Sequence, residues 1–152
     1  MALRAGEDTS LMGMRLPART DYAIRAAAEL AGFAPGGWMK GRDIARAQRI
    51  PYKFLMGILR QLTLSGIVES RRGSDGGFRL ARPAQAITLA EVVSAVGTHQ
   101  RASVPAASGT GSAVTRVWTR LEREVERVLS AIPLSDVATA DQSAPGTPAS
   151  WA

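Results

Sequence analysis

The sequence predicts a mainly α-helical fold with a small β-hairpin wing: a winged helix-turn-helix unit followed by one long helix that pairs with a second copy. Three stretches carry this expectation. Residues 42–66 read as two helices joined by a tight turn, the second holding Leu55, Ile58, Leu59 and Leu62 at helical spacing. Residues 67–80 read as a hairpin with a glycine-rich tip. Residues 113–132 hold an apolar seam at heptad spacing.

In chain order, residues 1–13 (MALRAGEDTSLMG) show no periodicity and read as a flexible N-terminal extension, with Met12 and Met14 as further candidate starts. Thr20 to about Ala34 reads as the first helix, capped by Thr20. Its stripe of Tyr22, Ala23, Ala26, Ala27, Leu30 and Ala31 suits close helix packing. Pro35-Gly36-Gly37 is a loop. Trp38, just after it, is expected to pack on the core, with the edge of a ligand pocket as the alternative.

The next segment is helix-compatible from Arg42 to Gln48, with Ile44 and Ala45 apolar; Ala45 is small enough for the first helix to cross the second. Pro51 suits the first turn of a new helix, where its missing N–H is not required. Leu55 and Ile58 hold that second helix down, and Gly66 is the expected stop. The opposite face carries Lys53, Met56, Gly57 and Arg60, the face such a unit lays in a DNA major groove. Turns of this kind often use glycine at a left-handed position. Here Arg49 stands there, at a cost on the order of 1 kcal/mol, which leaves a differently built turn open.

Ile67–Arg72 and Phe78–Leu80 have strand composition, and Gly73-Ser74-Asp75-Gly76-Gly77 between them forms the hairpin loop. Arg71, Arg72 and Arg79 flank it. Arginines on a thin loop can reach phosphates or a narrow minor groove. A single surface arginine is usually only a solvated charge, but three on one hairpin beside a candidate recognition helix form a set. Charge segregation points the same way. Residues 14–97 hold 13 Lys+Arg and 6 Asp+Glu, 13 − 6 = +7, whereas residues 98–152 hold 5 of each and are neutral. A basic half of this kind is the electrostatic footprint of a phosphate binder.

Beyond the wing, Thr88 and Glu91 make a capping box for a short helix from Leu89 to Val96, ended by Gly97. Residues 98–112 lack periodicity and are expected to form a mobile loop. From Ala113 to Ile132, Val114, Trp118, Leu121, Val125, Val128 and Ile132 are spaced 4, 3, 4, 3, 4. That seam fits helix-on-helix packing and is read as a dimerisation helix, the alternative being a helix packed on its own subunit. Pro133 stops it. Residues 138–152 are rich in Pro, Ser and Ala and are expected to be disordered.

These residues resemble the IscR/NsrR family of winged-helix transcriptional regulators over about residues 14–137. The resemblance lies in RTDYAIRAAAELA at 19–31, DIARAQRIPYKFLMGILRQLTLSGIVES at 43–70, RRGSDGGFRLARP at 71–83, ITLAEVVSAVG at 87–97 and AIPLSDV at 131–137. Its most specific part is R-G-x-x-G-G-[FY]-x-L, met by Arg72, Gly73, Gly76, Gly77, Phe78 and Leu80. The resemblance implies a DNA-binding domain at 14–97, with Tyr52, Lys53, Met56 and Gly57 on the base-reading helix and Arg72 aimed at the minor groove. It puts the start of the first helix near the DNA backbone, which makes Arg19 and Arg25 candidate phosphate contacts. It also implies a dimerisation helix and cap at 113–137. The family's best-known members hold an iron–sulfur cluster through cysteines in the loop before the long helix. This chain has no cysteine and one histidine, His99, so no cluster of the usual kind and no cofactor is expected.

Other classes fit poorly. There is no cysteine nucleophile, no P-loop and no dinucleotide fingerprint, so no enzyme is expected. No apolar run approaches the roughly 18 residues of a membrane span, and no signal-peptide pattern is present. A hydrophobic content of 45% suits a globular protein, and a cytoplasmic home is expected. The leading reading is a dimeric, sequence-specific regulator, expected to be a repressor, on a palindromic promoter site in double-stranded DNA. The alternatives are a winged-helix module that binds a protein partner and a non-specific DNA-coating protein. The signal stays open among a small organic ligand between the Trp118 helix and the DNA-binding domain, a partner protein, and no effector at all.

Overall fold

The computed structural model describes residues 17–97 and 110–142. The expected N-terminal extension, His99 with most of the 98–112 loop, and the tail from residue 143 onward lie outside the described residues. The elements run α1 (Ala18–Gly32), α2 (Gly41–Gln48), α3 (Tyr52–Leu64), β1 (Val68–Arg71), β2 (Gly77–Leu80), a 3-10 turn at Ala84–Ala86, α4 (Leu89–Val96), α5 (Thr110–Ser130) and α6 (Leu134–Gln142). The result is mostly helical with a two-stranded antiparallel hairpin, the winged helix-turn-helix architecture expected from the sequence.

Helix α1 is central and touches α2, α3, α4 and α6. Its alanine stripe makes this possible: Ala23, Ala26 and Ala27 are fully buried and let neighbouring backbones approach. The helix starts earlier than expected. Pro17 fixes the entry, and its carbonyl accepts from the N–H groups of Thr20 and Asp21 at 2.9 and 3.2 Å. Thr20 is therefore not the cap; it sits inside the first turn and is buried.

Between α2 and α3, Arg49 does take the left-handed conformation (φ 52°, ψ 44°), the one non-glycine residue at positive φ among those described. The turn is thus of the ordinary kind, with the strain of a Cβ retained. Two contacts hold it: the Ile50 N–H donates to the Ala45 carbonyl at 3.0 Å, and the Ile50 side chain is buried. Helix α3 then presents Leu55, Ile58, Leu59 and Leu62, all at 0% exposure, to the core. It ends at Ser65, followed by Gly66 at φ +74°.

In the wing, Val68 pairs with Leu80, Glu69 with Arg79, Ser70 with Phe78 and Arg71 with Gly77. A third backbone segment joins it. Met39 and Phe78 exchange two hydrogen bonds, N–H of Met39 to O of Phe78 at 2.9 Å and the reverse at 2.8 Å. Glycine at 77 permits this: a Cβ there would lie 2.4 Å from the Met39 carbonyl oxygen.

The capping box of α4 forms as expected, with the Glu91 N–H donating to Thr88 Oγ1 and the Thr88 N–H donating to Glu91. Helix α5 begins at Thr110, so the aperiodic stretch is shorter than composition implied. Helix α6 runs on to Gln142, into residues expected to be tail; Asp136 lies in its first turn. Between α5 and α6 the chain is clipped to the start of α4. The Leu89 N–H donates to the Ile132 carbonyl at 3.0 Å, the Leu134 N–H donates to the Ile87 carbonyl at 2.8 Å, and Leu134 is fully buried.

Candidate nucleic-acid interface

Because α3 buries one stripe, its other face is fixed outward. Lys53, Gly57 and Arg60 are exposed, and Met56 is half-buried. Tyr52 is also exposed, with the Arg42 guanidinium 4.8 Å from its ring centroid. No heavy atom lies within 4 Å of the position a Gly57 Cβ would take. Glycine inside a helix costs roughly 0.5–1 kcal/mol relative to alanine. Packing within the subunit gives no reason for it, so the bare spot is open to something from outside. Phe54 is 61% exposed on this helix and escaped the sequence reading. The available signal was an aromatic residue lying off the buried stripe.

A groove of about 310 Å³ separates α3 from the wing, lined by Met56, Arg60, Thr63, Leu64, Ser70, Arg71, Arg72, Gly77 and Phe78. It brings three of the sequence-predicted cations, Arg60, Arg71 and Arg72, onto one cleft. Among the described residues, Lys53, Arg60 and Arg72 make no ion pair or hydrogen bond, so their charge is available. The other wing arginine, Arg79, is occupied: its Nε donates to Glu69 Oε2 at 2.8 Å, and its guanidinium stacks 4.2 Å from the Trp38 ring centroid. Trp38 is thus partly buried against the wing.

The two α1 arginines part company. Arg19 Nη2 donates to Gln61 Oε1 on α3 at 2.6 Å, which holds it against that helix. Arg25 instead pairs with Asp21 at 3.2 Å, in a geometry that leaves its Nε without a directed hydrogen bond, and lies over Tyr22. It lines a separate pocket of about 410 Å³ with Glu29, Phe33, Gln48 and Val137, none of them on α3 or the wing. Helix periodicity alone could not separate these two positions.

Among the described residues, the seam of α5 is left exposed. Every residue from 114 to 128 is exposed, including Val114, Trp118, Leu121, Val125 and Val128. Val117, 67% exposed, lies beside the stripe and was not anticipated. Ile132 is a correction: α5 ends at Ser130, and Ile132 is partly buried against its own subunit's core. A polar pocket of about 560 Å³ does lie between α4 and α5, lined by Ser65, Glu91, Ser94, Glu126 and Ser130 among others. Trp118 is not part of it.

The donor set does not fit a thiolate-held cluster. The sequence has no cysteine, and among the described residues no group of three or more His, Asp or Glu gathers as metal ligands would. No described helix is long and apolar enough to cross a membrane.

Comparison with known proteins agrees with this geometry. Residues 16–140 match the sequence model of the Rrf2 family, described as an iron-dependent transcriptional regulator. A protein of Mycobacterium tuberculosis H37Rv named as a candidate HTH-type transcriptional regulator, Rv1287, is 39% identical over 132 residues, 82% of this chain and 81% of its own length. The HTH-type transcriptional regulator IscR of Cereibacter sphaeroides is 30% identical over 134 residues, 82% of this chain and 86% of its own. Among solved structures, T. potens IscR superposes with a TM-score of 0.75 over 90% of this chain and 95% of that one, at 24% identity. The cysteine regulator CymR of B. subtilis gives 0.69 over 84% and 98%, also at 24%. The IscR-type resemblance read from the sequence therefore holds. With a family match spanning nearly all of the described residues, this chain belongs to the Rrf2 family of winged helix-turn-helix, DNA-binding transcriptional regulators.

Proposed function

We propose that the protein is a homodimeric, sequence-specific repressor that occupies a palindromic promoter site and carries no cysteine-held cluster. The observation that carries the DNA-binding part is the groove between α3 and the wing. There Arg60 and Arg72 stand unpaired beside Arg71, next to an outward helix face with Lys53 and an open Gly57. Helix α3 enters the major groove, and the wing reaches the flanking backbone or minor groove. The α5 stripe, exposed among the described residues, supports pairing of two copies, which would cover it. A twofold pair sets two α3 helices about one DNA turn, or a multiple of it, apart. The lack of cysteine leaves sensing to a small molecule, a partner protein or the protein's own concentration. Because the family consists of transcriptional regulators, no enzymatic role is proposed.

The test is a footprint on duplex DNA selected by the protein from a random library, run at near-physiological salt. A protected palindrome with half-sites on one face of the duplex is the expected result. Equal affinity for scrambled competitor would overturn sequence specificity. The protein-interaction alternative is not favoured, because the family match is to transcriptional regulators. Neutralising Arg71 and Arg72 together checks it: a DNA reader loses affinity and shows a shallower salt slope.

A further inference from the structure

Trp38 precedes the helix-turn-helix in sequence, yet its ring lies against the wing beyond it. Its ring centroid lies 4.2 Å from the Arg79 guanidinium carbon and 5.8 Å from that of Arg71. The next residue, Met39, pairs its backbone with Phe78 of β2, and Lys40 Nζ donates to the Gly73 carbonyl at the wing tip at 3.0 Å. Three successive residues thus hold the wing by an aromatic face, a backbone bridge and a side-chain hydrogen bond. Glycine at 77 leaves the room that the Met39 backbone occupies.

The two arginines over the Trp38 ring differ in charge balance. Arg79 is neutralised by Glu69, whereas Arg71 has no carboxylate partner among the described residues. An arginine held by its charge over an aromatic ring still has N–H groups free to take a phosphate. Trp38 therefore restrains a charged donor without consuming it. Restraint before binding lowers the entropy lost on binding.

We infer that Trp38 is a positioning residue for DNA binding: its indole sets Arg71 and the wing in their DNA-bound placement in advance. The inference rests on the DNA-binding reading above. Wild-type protein would first select a duplex from a random library; failure to select any would refute that reading and not this one. With the selected duplex, Trp38→Ala is expected to weaken binding about three- to ten-fold, the scale of a cation–π contact plus lost preorganisation. Trp38→Phe, which keeps an aromatic face, recovers most of the affinity, whereas Trp38→Leu, which keeps only apolar bulk, does not. The decisive readout is a double-mutant cycle. The effect of Trp38→Leu should largely vanish in an Arg71→Gln background and persist in full in an Arg60→Gln background. Equal affinity of the Leu and Phe variants, or an undiminished Trp38→Leu effect in the Arg71→Gln background, would overturn the inference. The Leu and Phe variants both keep bulk under the wing, so the comparison stands even where Trp38→Ala fails to fold.

Discussion

Helices α3 and α5 carry the same kind of sequence signal and meet opposite fates. Each has a regular apolar stripe. In α3 the residues Leu55, Ile58, Leu59 and Leu62 are at 0% exposure, covered by the chain's own helices. In α5 the residues Val114, Trp118, Leu121, Val125 and Val128 are 36–58% exposed. Periodicity tells which face of a helix avoids water; it does not tell what covers that face. The short helix is completed inside the subunit and can be judged by subunit stability. The long one stays exposed among the described residues, and in the proposed dimer its energetics belong to assembly.

Substitutions can break this contrast or sharpen it. The largest effect is expected from Leu121→Glu, near the middle of the α5 stripe. The substitution acts twice in a symmetric pair, and each buried leucine contributes about 1.5–3 kcal/mol. Sedimentation should show the dimer lost at micromolar protein, with the monomer's circular dichroism retained. Loss of helical structure along with the dimer would mean that α5 packs on its own subunit after all. Leu59→Ala should do the reverse, lowering subunit stability by about 2–5 kcal/mol in urea titration, because it leaves a cavity in the buried core.

A smaller effect concerns how α3 is set. Arg49→Gly removes the Cβ from a left-handed residue while loosening the unfolded chain, for a net gain of roughly 0.5–1 kcal/mol. Unchanged or lower stability in denaturant would show that the Arg49 side chain contributes more than its backbone costs. The smallest effect is one of pH. Glu91 is held below the ordinary carboxylate range first by the Thr88 backbone N–H and then by Arg82. A group with a depressed folded pKa contributes its stabilisation above its unfolded pKa and loses it as pH falls through the folded value. The stability gap between wild type and Glu91→Gln should therefore be widest near neutrality and close in acid. A gap independent of pH would assign the loss to capping geometry alone.

Much of the fold was legible because its signals are local. The glycines of the wing tip, the Thr88–Glu91 box and the α3 stripe each fix structure within a few residues. What escaped depended on distance in sequence. Thr20 looks like a cap until Pro17 is seen to close the turn first. Ile132 continues the heptad arithmetic, yet Pro133 ends the helix and the backbone bond to Leu89 draws Ile132 onto the core. Arg19 and Arg25 share a helix, and only packing decides that one bonds Gln61 of α3 while the other lines a pocket with Val137 of α6. Trp38 meets its arginines across the whole helix-turn-helix, a relation no periodicity encodes.

The clip that ties residues 132 and 134 to the start of α4 also works as a ruler. It fixes the C-terminal end of α5 to the body that holds α3, so in the proposed pair the separation of the two DNA readers is set at that end. One residue added between Ser130 and Leu134 would turn α5 against its own reading head and shift the preferred spacing of the DNA site itself.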